Sequence, residues 1–187
     1  LSNRLKDEIN TINLKYLKEN ANSETYIADS NTLLNISDLS REHYSSIILN
    51  ADNITLTGER SIQHVFNITI PDNSRLALRI DNLNIYGKNG PCIVLGRNCL
   101  VEIILCGDNL LSYEGILVPE SSKLSITGEG NLTVQSDVPN GVGIGTNPFS
   151  AYGSISIQIG GKLIIHKINE HAVCIGGGKG LAESKIE

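Results

Sequence analysis

The feature that most constrains this chain is a repeat running from Ile68 to Gly178. A tetrad resembling Ile-x-Val-Pro gives way to a turn, a strand, a second turn and another strand, several times over. Its apolar pairs are Ile68/Ile70, Ile93/Leu95, Ile116/Val118, Val142/Ile144 and Val173/Ile175, at steps of 25, 23, 26 and 31 residues. The clearest match sets ITIPDNSRLALRIDNLNI, from Ile68, against ILVPESSKLSITGEGNLTV, from Ile116. Self-similarity at this period marks a solenoid, in which each repeat buries its apolar face only against its neighbours.

Two further strand columns repeat with the tetrad. The first holds Leu76/Leu78, Val101/Ile103, Leu124/Ile126 and Ile155/Ile157, with Ile47/Leu49 as an earlier member. The second holds Ile54/Leu56, Leu83/Ile85, Leu110/Ser112, Leu132/Val134 and Leu163/Ile165. Residues two apart on a strand share one face. Outward positions of the first column are polar: Arg79, Glu102, Ser125 and Ser156. The expected fold is therefore all-β, a right-handed parallel β-helix over 47–187. It has three strands per rung and about five rungs, on the order of 24 Å long at the usual strand spacing. Aromatic residues are 4% of the chain, and Met and Trp are absent. A solenoid core needs only the stacked Ile, Leu and Val that this chain has.

The opening segment differs in kind. Over 1–20, Leu5, Ile9, Ile12 and Tyr16 fall on one apolar stripe, which predicts an amphipathic helix. Two roles stand open for it: a cover for the bottom rung, or the end of an oligomerising coiled-coil stalk. Residues 21–46 are polar apart from Leu33, Leu34 and Ile36, and read as a lead-in loop with an irregular first strand. At the other end, only KGLAESKIE follows Gly178. That is too little for a cover or another rung. The expectation is that the native protein continues, or self-associates through its last rung or its N-terminal helix.

The formal net charge of -5 argues against a nucleic-acid partner. No apolar run is long enough to insert in a membrane. The chain begins with Leu1 and shows no signal peptide. Cys92, Cys99, Cys106 and Cys174 include no C-x-x-C pair and fall in different columns, so neither zinc nor stacked disulfides are implied.

Three outward features are candidates for chemistry. Just before the second column stand Asn53, Asn82, Asn109 and Asn131, then Lys162. Asn tolerates a left-handed bend, and stacked amides can hydrogen-bond up the column as an asparagine ladder. One residue earlier stand Asp52, Asp81 and Asp108, then Gly130 and Gly161. Three stacked carboxylates would repel, and Ca²⁺ could relieve this; ordinary Asp-Asn turn chemistry, with the carboxylates splayed into water, is the stronger reading. After the second column come Thr57, Tyr86, Tyr113, Gln135 and His166. Tyr86 and Tyr113 on adjacent rungs, with His166 farther along, form a candidate sugar-binding strip, because aromatic faces beside polar side chains hold sugar rings. Alternatively the two tyrosines merely stiffen the wall. The outward positions of the third column (Thr69, Val94, Leu117, Gly143, Cys174) are apolar enough to predict a cover, which residues 146–153 could supply.

The series GPCIVLGRNCLVEIILCGDNLLSYEGILVPESSKLSITGEGNLTV, then GVGIG and AVCIGGG, resembles the β-helical carbohydrate-binding-domain repeats of bacterial cell-surface proteins. The match covers roughly Ile54–Gly178. The resemblance implies an extracellular, non-enzymatic polysaccharide-binding or adhesive module, in some relatives with calcium. A structural β-helix of a virion, tail or appendage is the alternative. Parallel β-helices also host polysaccharide lyases and hydrolases, which need clustered carboxylates and a base on one wall. Here that wall offers only Arg79 and Glu102, read as a surface ion pair. No Walker A, HExxH or GxSxG string occurs, and the four histidines are scattered.

Overall fold

A computed structural model describes residues 11–12, 24–139, 141–146, 150–167 and 173–177 of the 187. The period-two alternation of buried and open positions builds its strands, and the strands recur in turns. The lowest turn holds β1 (Thr25–Ala28), β2 (Thr32–Asn35) and a short helix, α1 (Ile36–Arg41). Next come β3 (Ser46–Leu49), β4 (Asn53–Thr57) and β5 (His64–Val65), then β6 (Asn67–Ile70), β7 (Arg75–Asp81) and β8 (Asn84–Tyr86). A further turn holds β9 (Ile93–Leu95), β10 (Leu100–Cys106) and β11 (Asp108–Tyr113). Above it lie β12 (Ile116–Leu117), β13 (Lys123–Gly128) and β14 (Asn131–Ser136). Then follow β15 (Val142–Gly145), β16 (Ser154–Ile159), β17 (Leu163–Lys167) and finally β18 (Val173–Gly176).

These strands form three sheets. The first wall runs β1-β3-β6-β9-β12-β15-β18, the second β2-β4-β7-β10-β13-β16, and the third β5-β8-β11-β14-β17. Every pairing between consecutive members is parallel. The chain is a parallel β-solenoid of about five turns, with three strands per turn. Its core is a stack of aliphatic layers. Ile68 and Ile70, Leu78 and Ile80, and Leu83 and Ile85 are all fully buried within one turn. Fully burying a side chain of this size contributes about 1.5–3 kcal/mol.

The lower part departs from the sequence reading in three ways. Within the stretch read as a lead-in loop, Thr25–Ala28 and Thr32–Asn35 are strands of the first two walls. The lowest turn replaces its third strand by α1, whose Ile36 and Leu39 are buried. Asn35 caps this helix by accepting from the Ser37 amide at 2.8 Å, and Ser37 Oγ lies 3.0 Å from His64 Nε2. α1 therefore covers the bottom of the core, one of the two roles open to the helix expected over 1–20. That helix lies outside the described residues except for Thr11 and Ile12, which are helical and exposed. Finally, Ile47 and Leu49 belong to the tetrad wall, and β4 pairs with β7, not with β8. Residues 58–63 cross the corner after β4, and counting strands without that crossing moves the pairs by one wall.

A second correction concerns register. Leu76 to Leu83 spans seven residues, but Val101 to the equivalent inward position spans eight, because Gly107 is inserted at the corner. The inward pair of β11 is consequently Asn109 and Leu111, not Leu110 and Ser112, and Asn109 pairs with Leu132. A one-residue slip exchanges the two faces of a strand. Leu110 and Ser112 are nonetheless 9% and 2% exposed, so this stretch is covered on both faces.

Candidate functional site

The Asn and Asp columns meet differently from their expected stacking. Asp52 precedes β4 in the second wall, and its carbonyl accepts from the Ala77 amide, far along the strand from Asp81. Asp81 faces Cys106, and Asp108 faces Asn131. The three carboxylates do not form one column. Asp81 Oδ1 accepts from its neighbour Asn82 at 2.9 Å, and Asp108 Oδ1 accepts from Asn131 Nδ2 at 2.5 Å. Among the described residues no group of three or more His, Cys, Asp or Glu side chains is placed to hold a metal ion.

Rung-to-rung amide bonds are present. Asn82 Oδ1 accepts from the Asp108 amide, Asn109 Oδ1 from Leu83, and Asn131 Oδ1 from Lys162. Asn53 takes no such part; its amide donates to Asn31. Of the four asparagines only Asn82 is left-handed, at φ 55°. Asn109 instead lies inside, 1% exposed, with its Nδ2 donating to the carbonyls of Cys106 and Asn131. Two further left-handed asparagines stack at another corner, before the second wall. Asn73 and Asn98 have φ 63° and 55°, and Asn98 Nδ2 donates to Asn73 Oδ1 at 3.3 Å. Their 25-residue spacing is legible in the sequence, though the Asp-Asn pairs draw the eye to a different corner.

The corner before the third wall also carries an open groove of about 570 Å³, lined in part by Arg79, Cys106, Asp108, Glu129 and Asn131. Its polar groups largely satisfy one another. Arg79 Nη1 donates to Cys106 Sγ at 2.7 Å, and Asp108 is held by Asn131. Arg79 and Glu102 do not pair: Glu102 accepts from Thr127 Oγ1 at 2.9 Å. All four cysteines are free. Burial pushes the Cys92 thiol up to about 12, against hydrogen bonds that lower it, and raises Cys99 as well. Both are thereby disfavoured as thiolates.

The tyrosine strip is partly assembled. In register, Tyr86 faces Ser112 and Val65, while Tyr113 faces Ser136. Alternation after Asn109 and Leu111 would send Tyr113 inward. Its left-handed backbone, at φ 86°, accompanies a half-exposed side chain. The ring lies 5.3 Å from that of Tyr86, tilted by 54°. The two rings form one aromatic surface where the third wall ends. His166 does not join them. It is exposed and faces Gln135, which faces Ser112, so it stands three strands, about 14 Å, above Tyr86. Ser112 Oγ and Gln135 Oε1 lie 3.2 Å apart. Leu117, Val94 and Thr69 are half-buried and Cys174 is exposed. Tyr152 bridges to Pro119 at the opposite corner.

Just past Tyr113 the chain turns from the third wall to the first through 114–115 alone. The corresponding corners below and above are longer: 87–92 and 137–141. They are tied to the short one by backbone bonds, Cys92 N to Glu114 O and Asp137 N to Tyr113 O. Glu114 is half-buried between them, and desolvation raises its carboxyl pKa. No hydrogen bond reaches its carboxylate among the described residues. Ser136, 1% exposed, holds a hydroxyl that likewise has no partner. Gly141 marks where the two converge: a methyl there would fall 2.5 Å from Ser136 Oγ and 3.3 Å from Glu114 Oε1. Sequence reading missed Glu114 and Ser136, because nothing in the spacing distinguishes a short corner between long ones until the walls are known. Compared with family models, curated proteins and solved structures, the chain matches none.

Proposed function

We propose that this chain is a non-enzymatic carbohydrate-binding module displayed at a cell surface, with Tyr86 and Tyr113 as its platform. The observation that carries the reading is Tyr113. A bulky residue at positive φ is an uncommon backbone state that costs free energy and clusters at ligand sites. Here it accompanies a second, half-exposed ring set beside the first. Sugar rings pack their C–H faces on such surfaces while their hydroxyls reach nearby polar groups. The motif resemblance supports an extracellular location and a polysaccharide partner. The separate partners of Arg79 and Glu102 support a binding role over a lyase or hydrolase. The solenoid is taken as right-handed, the hand of nearly all parallel crossover connections.

A glycan array probed with the wild-type chain and with the double variant Tyr86→Ala/Tyr113→Ala tests the reading. Wild type should bind a restricted set of glycans, and the double variant should lose them while keeping its β-sheet circular dichroism. An array left blank by wild type, or unchanged by the double variant, overturns the proposal.

A further inference from the structure

We infer that a linear, uncharged polysaccharide lies along the solenoid axis on the outer face of the third wall, one sugar unit per turn, over a track from Val65 to His166; this rests on the carbohydrate-binding reading above. Register defines the track. Val65, Tyr86, Ser112, Gln135 and His166 are partners on five successive strands, on the face opposite the core. Ser112 is 2% exposed, and at its level the next residue, Tyr113, supplies the accessible side chain. Each strand from β5 to β17 thus offers one side chain to a ligand outside. Val65 and His166 are exposed, and Tyr86, Tyr113 and Gln135 are half-buried.

Burial sets the direction. Two residues inboard on the same face, Asn84 is 8% and Leu110 9% exposed, so the open strip is narrow across the strands and long across the turns. Spacing sets the occupancy. Successive turns are about 4.8 Å apart, close to the advance of one pyranose unit in an extended chain. Five strands span four such steps, about 19 Å, enough for about four sugar units. The two tyrosine rings, with centroids 5.3 Å apart, keep the same period. Chemistry sets the class. Val65 is a large apolar side chain left 54% exposed directly below Tyr86, and it extends the apolar surface by one turn. Above the rings, Gln135 Oε1 lies beside Ser112 Oγ, which leaves its Nε2 to donate to a sugar hydroxyl. No Asp, Glu, Lys or Arg stands on the track, and Glu114 and Lys167, which follow Tyr113 and His166, are of opposite sign. The carboxylates that recur along an acidic chain would meet no row of cations here. A surface of rings, aliphatic faces, amide and imidazole suits a partner that brings hydroxyls and C–H faces instead.

Calorimetric titration of the full chain with oligosaccharides of graded length separates this from the platform reading. The probes are the two-, four- and six-unit members of the mannan, xylan and cellulose series. Hexagalacturonic acid, in EDTA or in Ca²⁺, is the charged comparison. At least one neutral series should bind wild type, with affinity rising about tenfold or more from two units to four and much less from four to six. Val65→Ser and Gln135→Ala lie on either side of the tyrosines. Each should weaken the six-unit probe by about threefold or more while β-sheet circular dichroism is unchanged. The length series needs no variant, so it decides even where a substitution disturbs folding. If all lengths bind alike, the platform stands and the inference falls. The same holds if both flanking variants keep wild-type affinity for the six-unit probe while Tyr86→Ala/Tyr113→Ala loses it. It holds too if hexagalacturonic acid alone binds, or if the glycan array is positive and no neutral probe binds. If no probe binds and the array is blank, both fall.

Discussion

Glu114 carries its own pH signature. In the unfolded chain its carboxyl titrates near its ordinary 4.5, and desolvation in the folded state raises it. Folding then binds that proton more tightly, so the group opposes folding once ionised. Its contribution is neutral below the ordinary value and turns unfavourable as pH rises through the raised one. Glu114→Gln should therefore match wild-type stability at about pH 4 and exceed it at pH 7. Urea titrations at both values check this; equal differences at both would show that solvent or a donor satisfies the carboxylate. The asparagines at positive φ make a separate case. At Asn98, φ 55°, Gly should be tolerated. Asn98→Val should cost more than about 1 kcal/mol, because a β-branched residue resists this region. Indistinguishable denaturation midpoints for the two variants would place the bend elsewhere.

Among the elements, α1 and β11 show where pattern reading succeeds and where it stops. The second wall was legible because Leu76/Leu78, Val101/Ile103 and Leu124/Ile126 keep period two in unbroken register. β11 was misread by one residue because Gly107 lengthens its corner, and the apolar Leu110 mimics an inward position. Tyr86 and Tyr113 still meet, with Tyr113 held at positive φ. α1 was illegible for a different reason. Six residues carry too little periodicity to register, and a helix this short is unstable unless packed. Its cap is consequently a sensitive point. Asn35→Ala should lower stability by about 1 kcal/mol, and Asn35→Asp should keep most of it. Thermal melts of the pair against wild type would show this; equal losses would mean that the cap bond to Ser37 does not matter.

For the whole molecule, stability is shared between neighbouring turns, so a defect in the middle weakens the stack on both sides. Ile126 is fully buried between Ile103 and Ile157, whereas Ser125 points the other way and is half-exposed. Ile126→Ala should cost about 2–5 kcal/mol through lost burial and a cavity. Ser125→Ala should cost less than about 0.5 kcal/mol. Equal shifts in a guanidinium titration would refute the assigned faces. The short corner at 114–115 has a consequence of a different order. Within a wall, adding one residue reverses the facing of all that follow on that strand. At this edge the chain already runs six, two, then five residues without disturbing the ladders beside it. Two or three inserted codons would fill the notch, and as many deleted from a neighbour would widen it. A lineage built on this plan can reshape one seam of its surface while inheriting its architecture unchanged.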